Sequence, residues 1–234
     1  MRVIITSVGI GSVYPFGINR LVNEFNRVSP GYEIQTWANA YPPPVKAHLI
    51  ENGYDYSPYR AKSMALKYAL DSGADIAILM DASFIPIRPI EPLVDYIAET
   101  GYYLCQNGYN VGEWASDRCL REMEMERESA MAIEDVSSYC VGIRRECREL
   151  IDKWEESSAF RTIVGCHTNI GHQGRNIGWV SDDPRVRGHR HDQTVLSILA
   201  ARLGYTKLVA RPKFTAYDGY QTEQTVLVNK GIGL

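Results

Sequence analysis

Residues Ile76 to Met80 form an unbroken apolar run that stops abruptly at a carboxylate, Asp81, with a hydroxyl, Ser83, two residues later. The run is too short for a helix of its own and has the composition of a strand buried on both faces. Such a strand belongs in a sheet with helices on each side. An acidic residue at its carboxyl end faces the crevice where open α/β sheets bind ligands. With Ser83 beside it, Asp81 can hold a divalent cation that in turn holds phosphate oxygens. The competing reading is that Asp81 and Ser83 simply open the turn toward Pro86, because turns favour both residue types.

The rest of the chain supplies the partners such a strand needs. Val3 to Ser7 reads as a first buried strand, followed by the loop Gly9-Ile10-Gly11-Ser12. Ile18, Leu21, Val22 and Phe25 fall on one face of a helix. Tyr32 to Trp37 gives a second strand, and Tyr41-Pro42-Pro43-Pro44 an extended loop. The spacing predicts a helix over about residues 57–71, with Ala61, Ala65 and Tyr68 on one face, Met64 at its edge and Ser72-Gly73 as its stop. After Asp81, the residues Ile90, Leu93, Val94 and Ile97 mark another helix, and Tyr102 to Gln106 a further strand. This alternation predicts an α/β fold with a mostly parallel central sheet flanked by helices. Beyond Gly108, Ser116 caps a charged helix running from Asp117 through Glu128, read as a solvated face. Ser137 to Ile143 follows as a strand. Cys147, Leu150, Ile151 and Trp154 are spaced as a helix, and Ile163 to His189 reads as loop with short strands. Asp192 opens a last helix, with Val195, Leu199 and Arg202 along one side.

Composition narrows the class. With 234 residues and 45% hydrophobic content, the chain can build one sizeable core, and a single domain over 1–234 is expected. A net charge of −3 gives no global basic excess for nucleic acid. The five cysteines are odd in number and form no CxxC pair, which fits reduced thiols and a cytoplasmic protein. The N-terminal Val3-Ile4-Ile5 is too short for a signal-peptide core. No apolar run approaches the roughly 20 residues of a membrane span.

Three clusters carry candidate chemistry. Thr6, Ser7, Gly9, Gly11 and Tyr14 surround the turn after the first strand, where glycines let a ligand approach the backbone. Neither a dinucleotide fingerprint nor a P-loop is present. Arg60 and Lys62 sit at a helix start and can face a diphosphate, or are two surface charges. Arg185-Val186-Arg187-Gly188-His189-Arg190-His191-Asp192-Gln193 leads into the last helix. There His191 can meet a metal or a phosphate, and Asp192 can serve as cap or first-turn residue. The plain alternative is a capped helix after a basic surface loop.

Three segments together resemble nucleotide-sugar-dependent glycosyltransferases of the GT-A fold. They are Tyr59-Arg60-Ala61-Lys62-Ser63-Met64-Ala65-Leu66, Ile76 through Ser83, and His191-Asp192-Gln193-Thr194-Val195-Leu196-Ser197. Tyr139-Cys140-Val141-Gly142-Ile143 and the helix ending in Trp154 are similar to the acceptor side of such enzymes. The resemblance spans about residues 2–210 and implies a Rossmann-like, nucleotide-binding half over about 1–106 and an acceptor-side half over about 107–234. It further implies an Asp-x-Asp motif binding Mn²⁺ or Mg²⁺. Asp81-Ala82-Ser83 matches its first position and departs at its last. On this basis Asp81 is the principal metal ligand, with Ser83 and His191 as weaker ones. Thr6 and Tyr14 border the nucleoside, Arg60, Lys62 and Ser83 the donor, and Arg187 and Arg190 its diphosphate. Asp192 is the carboxylate nearest the reacting centre, as base or as donor-orienting group, and Asp117 a second candidate base. The partner is a nucleoside-diphosphate sugar. The acceptor is left open among glycan, lipid-linked sugar, protein and modified DNA base. A binding protein without turnover and a sugar-1-phosphate nucleotidyltransferase are the alternatives.

Overall fold

The computed structural model describes residues 1–11, 13–39, 48–49, 58–165 and 180–232. The Tyr41–Pro44 loop, Cys166 and most of the 163–189 stretch lie outside them. The first strand, β1 (Val3–Gly9), leads into α1 (Tyr14–Val28). Pro15 stands in the first turn of α1, where a missing N–H costs nothing. β2 (Glu33–Ala38) and the short β3 (His48–Leu49) follow. A 3-10 turn at Pro58–Arg60 precedes α2 (Ala61–Asp71), and β4 (Ile76–Asp81) comes next. β5 (Phe84–Pro86), α3 (Glu91–Thr100), β6 (Tyr102–Asn110), α4 (Asp117–Glu122), α5 (Arg127–Met131) and β7 (Glu134–Arg144) continue the chain. α6 (Glu149–Ser158), α7 (Arg161–Val164), α8 (Asp192–Arg202), β8 (Thr215–Tyr217) and β9 (Leu227–Asn229) complete it.

The main sheet has six strands in the order β3-β2-β1-β4-β7-β6. β1, β2, β3 and β4 are parallel, and β7 runs antiparallel to both neighbours. β6 therefore points the same way as β4, and the sheet is mixed but mostly parallel. β7, from the second half of the chain, lies between β4 and β6 of the first, so the two halves share one sheet.

The expected central strand is buried as its composition requires: Ile76 to Met80 are all 0% exposed. Successive residues pack on opposite faces. Ile76, Ile78 and Met80 join Leu21, Phe25, Leu93 and Ile97 of α1 and α3. Ala77 and Leu79 join Leu66, Leu70, Leu150, Trp154 and Leu196 of α2, α6 and α8. Each fully buried aliphatic or aromatic side chain contributes about 1.5–3 kcal/mol. Gly17 of α1 lets the helix press onto the turn after β4, because a Cβ there would collide with the Ala82 carbonyl.

Several expectations need correction. The buried face of α2 is Ala61, Ala65, Leu66, Ala69 and Leu70, while Tyr68 is 42% exposed and meets Trp37 edge-on. The charged stretch after Ser116 is two short helices, split at Glu124, whose φ of 48° is left-handed. Ser116 does cap the first, its Oγ accepting from Cys119 N–H at 3.1 Å. Helix α7 takes up part of the stretch read as loop and short strands. The C-terminal strands β8 and β9, paired with β5 in a second sheet, are too short to announce themselves by periodicity. No helix among the described residues is long and apolar enough to cross a membrane.

Candidate active site at the strand ends

β1 and β4 run side by side in register to their ends, pairing Val8 with Asp81. Beyond them opens a cleft of about 220 Å³ lined by Val8, Ile10, Tyr14, Tyr59, Lys62, Asp81 and Asp192. That is short of the roughly 300–1,000 Å³ that whole small ligands occupy, so it admits part of one. A larger groove of about 710 Å³ lies along α3 and the C-terminal segment, away from these strand ends.

Lys62 stands at the centre of the cleft, in the first turn of α2. Its Nζ is 2.9 Å from Asp81 Oδ1 and 3.8 Å from Asp192 Oδ2, and donates to the Ser138 carbonyl at 3.3 Å. Burial alone would lower the Lys62 pKa, but the two carboxylates outweigh it and hold the ammonium well above its usual range. Burial pushes both carboxyls up, with Lys62 opposing. Asp192 is the first residue of α8 and 6% exposed. The fully buried Trp154 of α6 donates from Nε1 to the Asp192 carbonyl at 3.0 Å and so fixes the start of α8.

The residue before it is strained. His191 has φ 52° and ψ −121°, a conformation L-residues rarely adopt and one found at functional sites. Its ring stacks on Tyr59 at 4.0 Å and 9°, and its Nδ1 lies 2.7 Å from the Val164 carbonyl. His189 is held neutral. Its Nδ1 accepts from Ser116 N–H at 3.3 Å, its Nε2 faces the Ile163 and Val164 carbonyls at 3.1 Å, and burial lowers its pKa to about 3.

A second group of side chains lies where β6 and β7 continue past the end of β4. The Arg190 guanidinium is 4.1 Å from the Trp114 ring centre and 4.8 Å from Tyr109, and Arg187 lies over the same two rings at 5.5 and 5.2 Å. Beneath them Asp135 is fully buried. It accepts from Asn107 Nδ2 at 2.9 Å, Gln193 Nε2 at 2.6 Å and Ser197 Oγ at 3.0 Å, with Arg190 at 3.5 Å. Arg211 donates to Asn107 Oδ1 at 2.7 Å and lies over Tyr217.

The structure thus brings Tyr14, Lys62, Asp81 and Asp192 together, with His191 next in the chain. It does not bring the other candidates to the cleft. Thr6 is 0% exposed inside β1, and Val8 and Ile10 take the place expected of it. Ser83 is nearly buried, its carbonyl held by Arg20 at 3.1 Å and Lys230 N–H at 3.0 Å. Arg60 reaches Glu155 of α6 at 2.6 Å instead of a donor. Asp117 pairs with Arg127 at 2.5 Å and accepts from Ser181 Oγ at 2.7 Å. Arg187 and Arg190 face aromatic rings rather than the Lys62–Asp81 pair. Sequence reasoning missed Asp135, Tyr109, Trp114 and Arg211. The polar run Gln106-Asn107-Gly108-Tyr109-Asn110 at a strand end was the available signal.

Among the described residues no three His, Cys, Asp or Glu side chains converge as a metal site. Asp192 Oδ2 is nonetheless buried and, among the described residues, makes no hydrogen bond, with the Lys62 ammonium 3.8 Å away. Two carboxylates suit Mg²⁺ or Mn²⁺ when substrate phosphate and water complete the shell. The chemistry of the donor set therefore fits a cation arriving with a phosphorylated ligand. No protein-family model matches this chain, and no curated protein matches it either.

Proposed function

We propose that the protein is a GT-A-type glycosyltransferase that moves a sugar from a nucleoside-diphosphate sugar to an acceptor hydroxyl. The observation that carries this reading is the Lys62 ammonium set between Asp81 and Asp192 at the carboxyl ends of β1 and β4. Open α/β sheets bind ligands at that edge. Two carboxylates and one ammonium leave the cleft one negative charge in excess, so a diphosphate enters only with added positive charge. Asp81 would hold Mn²⁺ or Mg²⁺, which would supply charge stabilisation at the leaving diphosphate.

The chain's own groups do the rest. Lys62, released from Asp81, offers its ammonium to a phosphate oxygen as the glycosidic bond to the diphosphate breaks. Asp192, whose burial raises its pKa, sits as base toward the acceptor hydroxyl or as the group orienting the donor sugar. Tyr14, Val8 and Ile10 wall the nucleoside side. The buried and half-buried thiols of Cys105, Cys119, Cys140 and Cys147, all free, suit a reducing cytoplasm.

The test is release of nucleoside diphosphate from a panel of nucleotide sugars with Mn²⁺. Wild-type turnover that depends on the cation and is lost in Asp81→Ala supports the reading. Turnover intact in Asp81→Ala removes it.

A further inference from the structure

We propose that Arg187, Arg190 and Arg211, with Tyr109, Trp114 and Tyr217, form a subsite for a sugar bearing an anionic substituent, a carboxylate or a phosphate. Four observations converge on it. First, the charges do not balance. Among the described residues the three guanidiniums meet one carboxylate, Asp135, through Arg190 alone, and Arg187 and Arg211 enter no ion pair. Two positive charges remain in excess here, on a chain whose net charge is −3. Arg211 and Arg190 are joined through one pair of side chains, Arg211 donating to Asn107 Oδ1 at 2.7 Å, Asn107 Nδ2 to Asp135 at 2.9 Å, and Arg190 standing 3.5 Å from the same carboxylate.

Second, Asp135 is spoken for. Its oxygens already accept from Asn107, Gln193 and Ser197, so it anchors Arg190 without neutralising its neighbours. Third, the guanidiniums are pre-set. Each lies over aromatic faces, Arg211 at 5.1 Å from Tyr217 and 5.6 Å from Tyr139. A stacked guanidinium keeps its planar fork of N–H groups for bidentate contact with carboxylate or phosphate. Fourth, the site has ring surface to offer. Tyr109 is 37% and Tyr217 48% exposed, with the Arg187, Arg190 and Arg211 guanidiniums beside them. Flat exposed rings beside such N–H donors suit the apolar face of a sugar and its hydroxyls.

Position gives the subsite its meaning. β6 runs parallel to β4, so its carboxyl end lies on the same sheet edge as Asp81. Only Gly188, His189 and His191 separate Arg187, Arg190 and Asp192 in the chain. The site is therefore placed to hold an acceptor while the cleft holds the donor. That assignment as acceptor site rests on the transferase reading, whereas the binding itself does not.

Binding is measured by calorimetry on the full chain without nucleotide, so loss of transferase activity and loss of this site are read separately. The ligands are methyl glucuronide, methyl glucoside 6-phosphate and the neutral methyl glucoside. Acidic sugars are expected to bind about tenfold or more tighter than the neutral one, with affinity falling as salt rises. The tighter of the two acidic arms identifies the substituent. The double variant Arg187→Gln/Arg211→Gln is expected to abolish the preference. Should it fail to fold, the exposed single change Arg187→Gln is expected to cut the preference about threefold. Equal binding of the neutral sugar, a preference that survives these changes, or inorganic phosphate competing as well as the sugar phosphate would each overturn the proposal. Tighter binding of a short oligothymidylate than of either acidic sugar would do so too.

Discussion

Two clusters on one sheet edge solve opposite electrostatic problems. In the cleft, one ammonium stands between two carboxylates. On the rim beyond β4, three guanidiniums lie over aromatic rings and, among the described residues, one of them, Arg190, meets a carboxylate, Asp135. Counted over these groups, the first carries one negative charge in excess and the second two positive charges. The carboxylates also differ in kind. Asp135 is fully buried and saturated with donors, the state of a structural acid. Asp192 is nearly as buried, yet among the described residues its Oδ2 makes no hydrogen bond and meets the Lys62 ammonium at 3.8 Å. Equal burial thus leaves the two carboxylates in different surroundings, one enclosed by neutral donors and the other facing an ammonium.

The largest effect that would test this contrast is kinetic. Asp192→Asn is expected to lower kcat/KM for transfer by about 10²–10⁴-fold. Its stability should hold or rise, because burial already penalises the ionised form of Asp192. Chemical denaturation run alongside the assay checks both, and a variant that loses stability in step with activity would erase the distinction. Asp135→Ala should behave in the reverse way. It strands Arg190, Asn107, Gln193 and Ser197 around an emptied position and is expected to cost about 3–5 kcal/mol in urea unfolding.

His189 lies between Arg187 and Arg190 in the chain and makes stability depend on pH. Its folded pKa of about 3 lies below the ordinary 6.5, so the unfolded chain binds the proton first. Its contribution to stability is present above pH 6.5 and lost as pH falls toward 3. The slope is up to about 1.4 kcal/mol per pH unit. His189→Gln should flatten that slope in urea midpoints taken across this range, and an unchanged slope would exclude His189 as its source. The smallest effect belongs to Arg60→Ala. Its partly exposed pair with Glu155 is expected to contribute about 0–1 kcal/mol, with donor affinity unchanged. A large rise in donor KM would return Arg60 to the cleft.

Legibility in the sequence followed the range of the interactions. The β4 strand, the α1 face and the Ser116 cap are local, and each was readable from neighbours within a few residues. The α2 face was misread at Tyr68 because its packing depends on Trp37 of β2, some thirty residues away. Arg60 and Lys62 look alike in the chain, yet Arg60 ends the 3-10 turn while Lys62 stands in the first turn of α2, and they meet Glu155 and Asp81 respectively. Arg211 carried no local signal at all, since its partners Asn107 and Tyr217 come from separate strands.

The amino-acid order by itself determined that this chain makes an α/β sheet with Asp81 at the end of its most buried strand. A short apolar run rich in Ile and Leu is buried on both sides when it lies inside a sheet covered by helices. Which charges share a cleft was decided only by tertiary structure. Coulomb energy depends on distance and local dielectric, and folding placed Lys62 between Asp81 and Asp192 from separate stretches of chain while sending Arg187 and Arg190 to the aromatic rim.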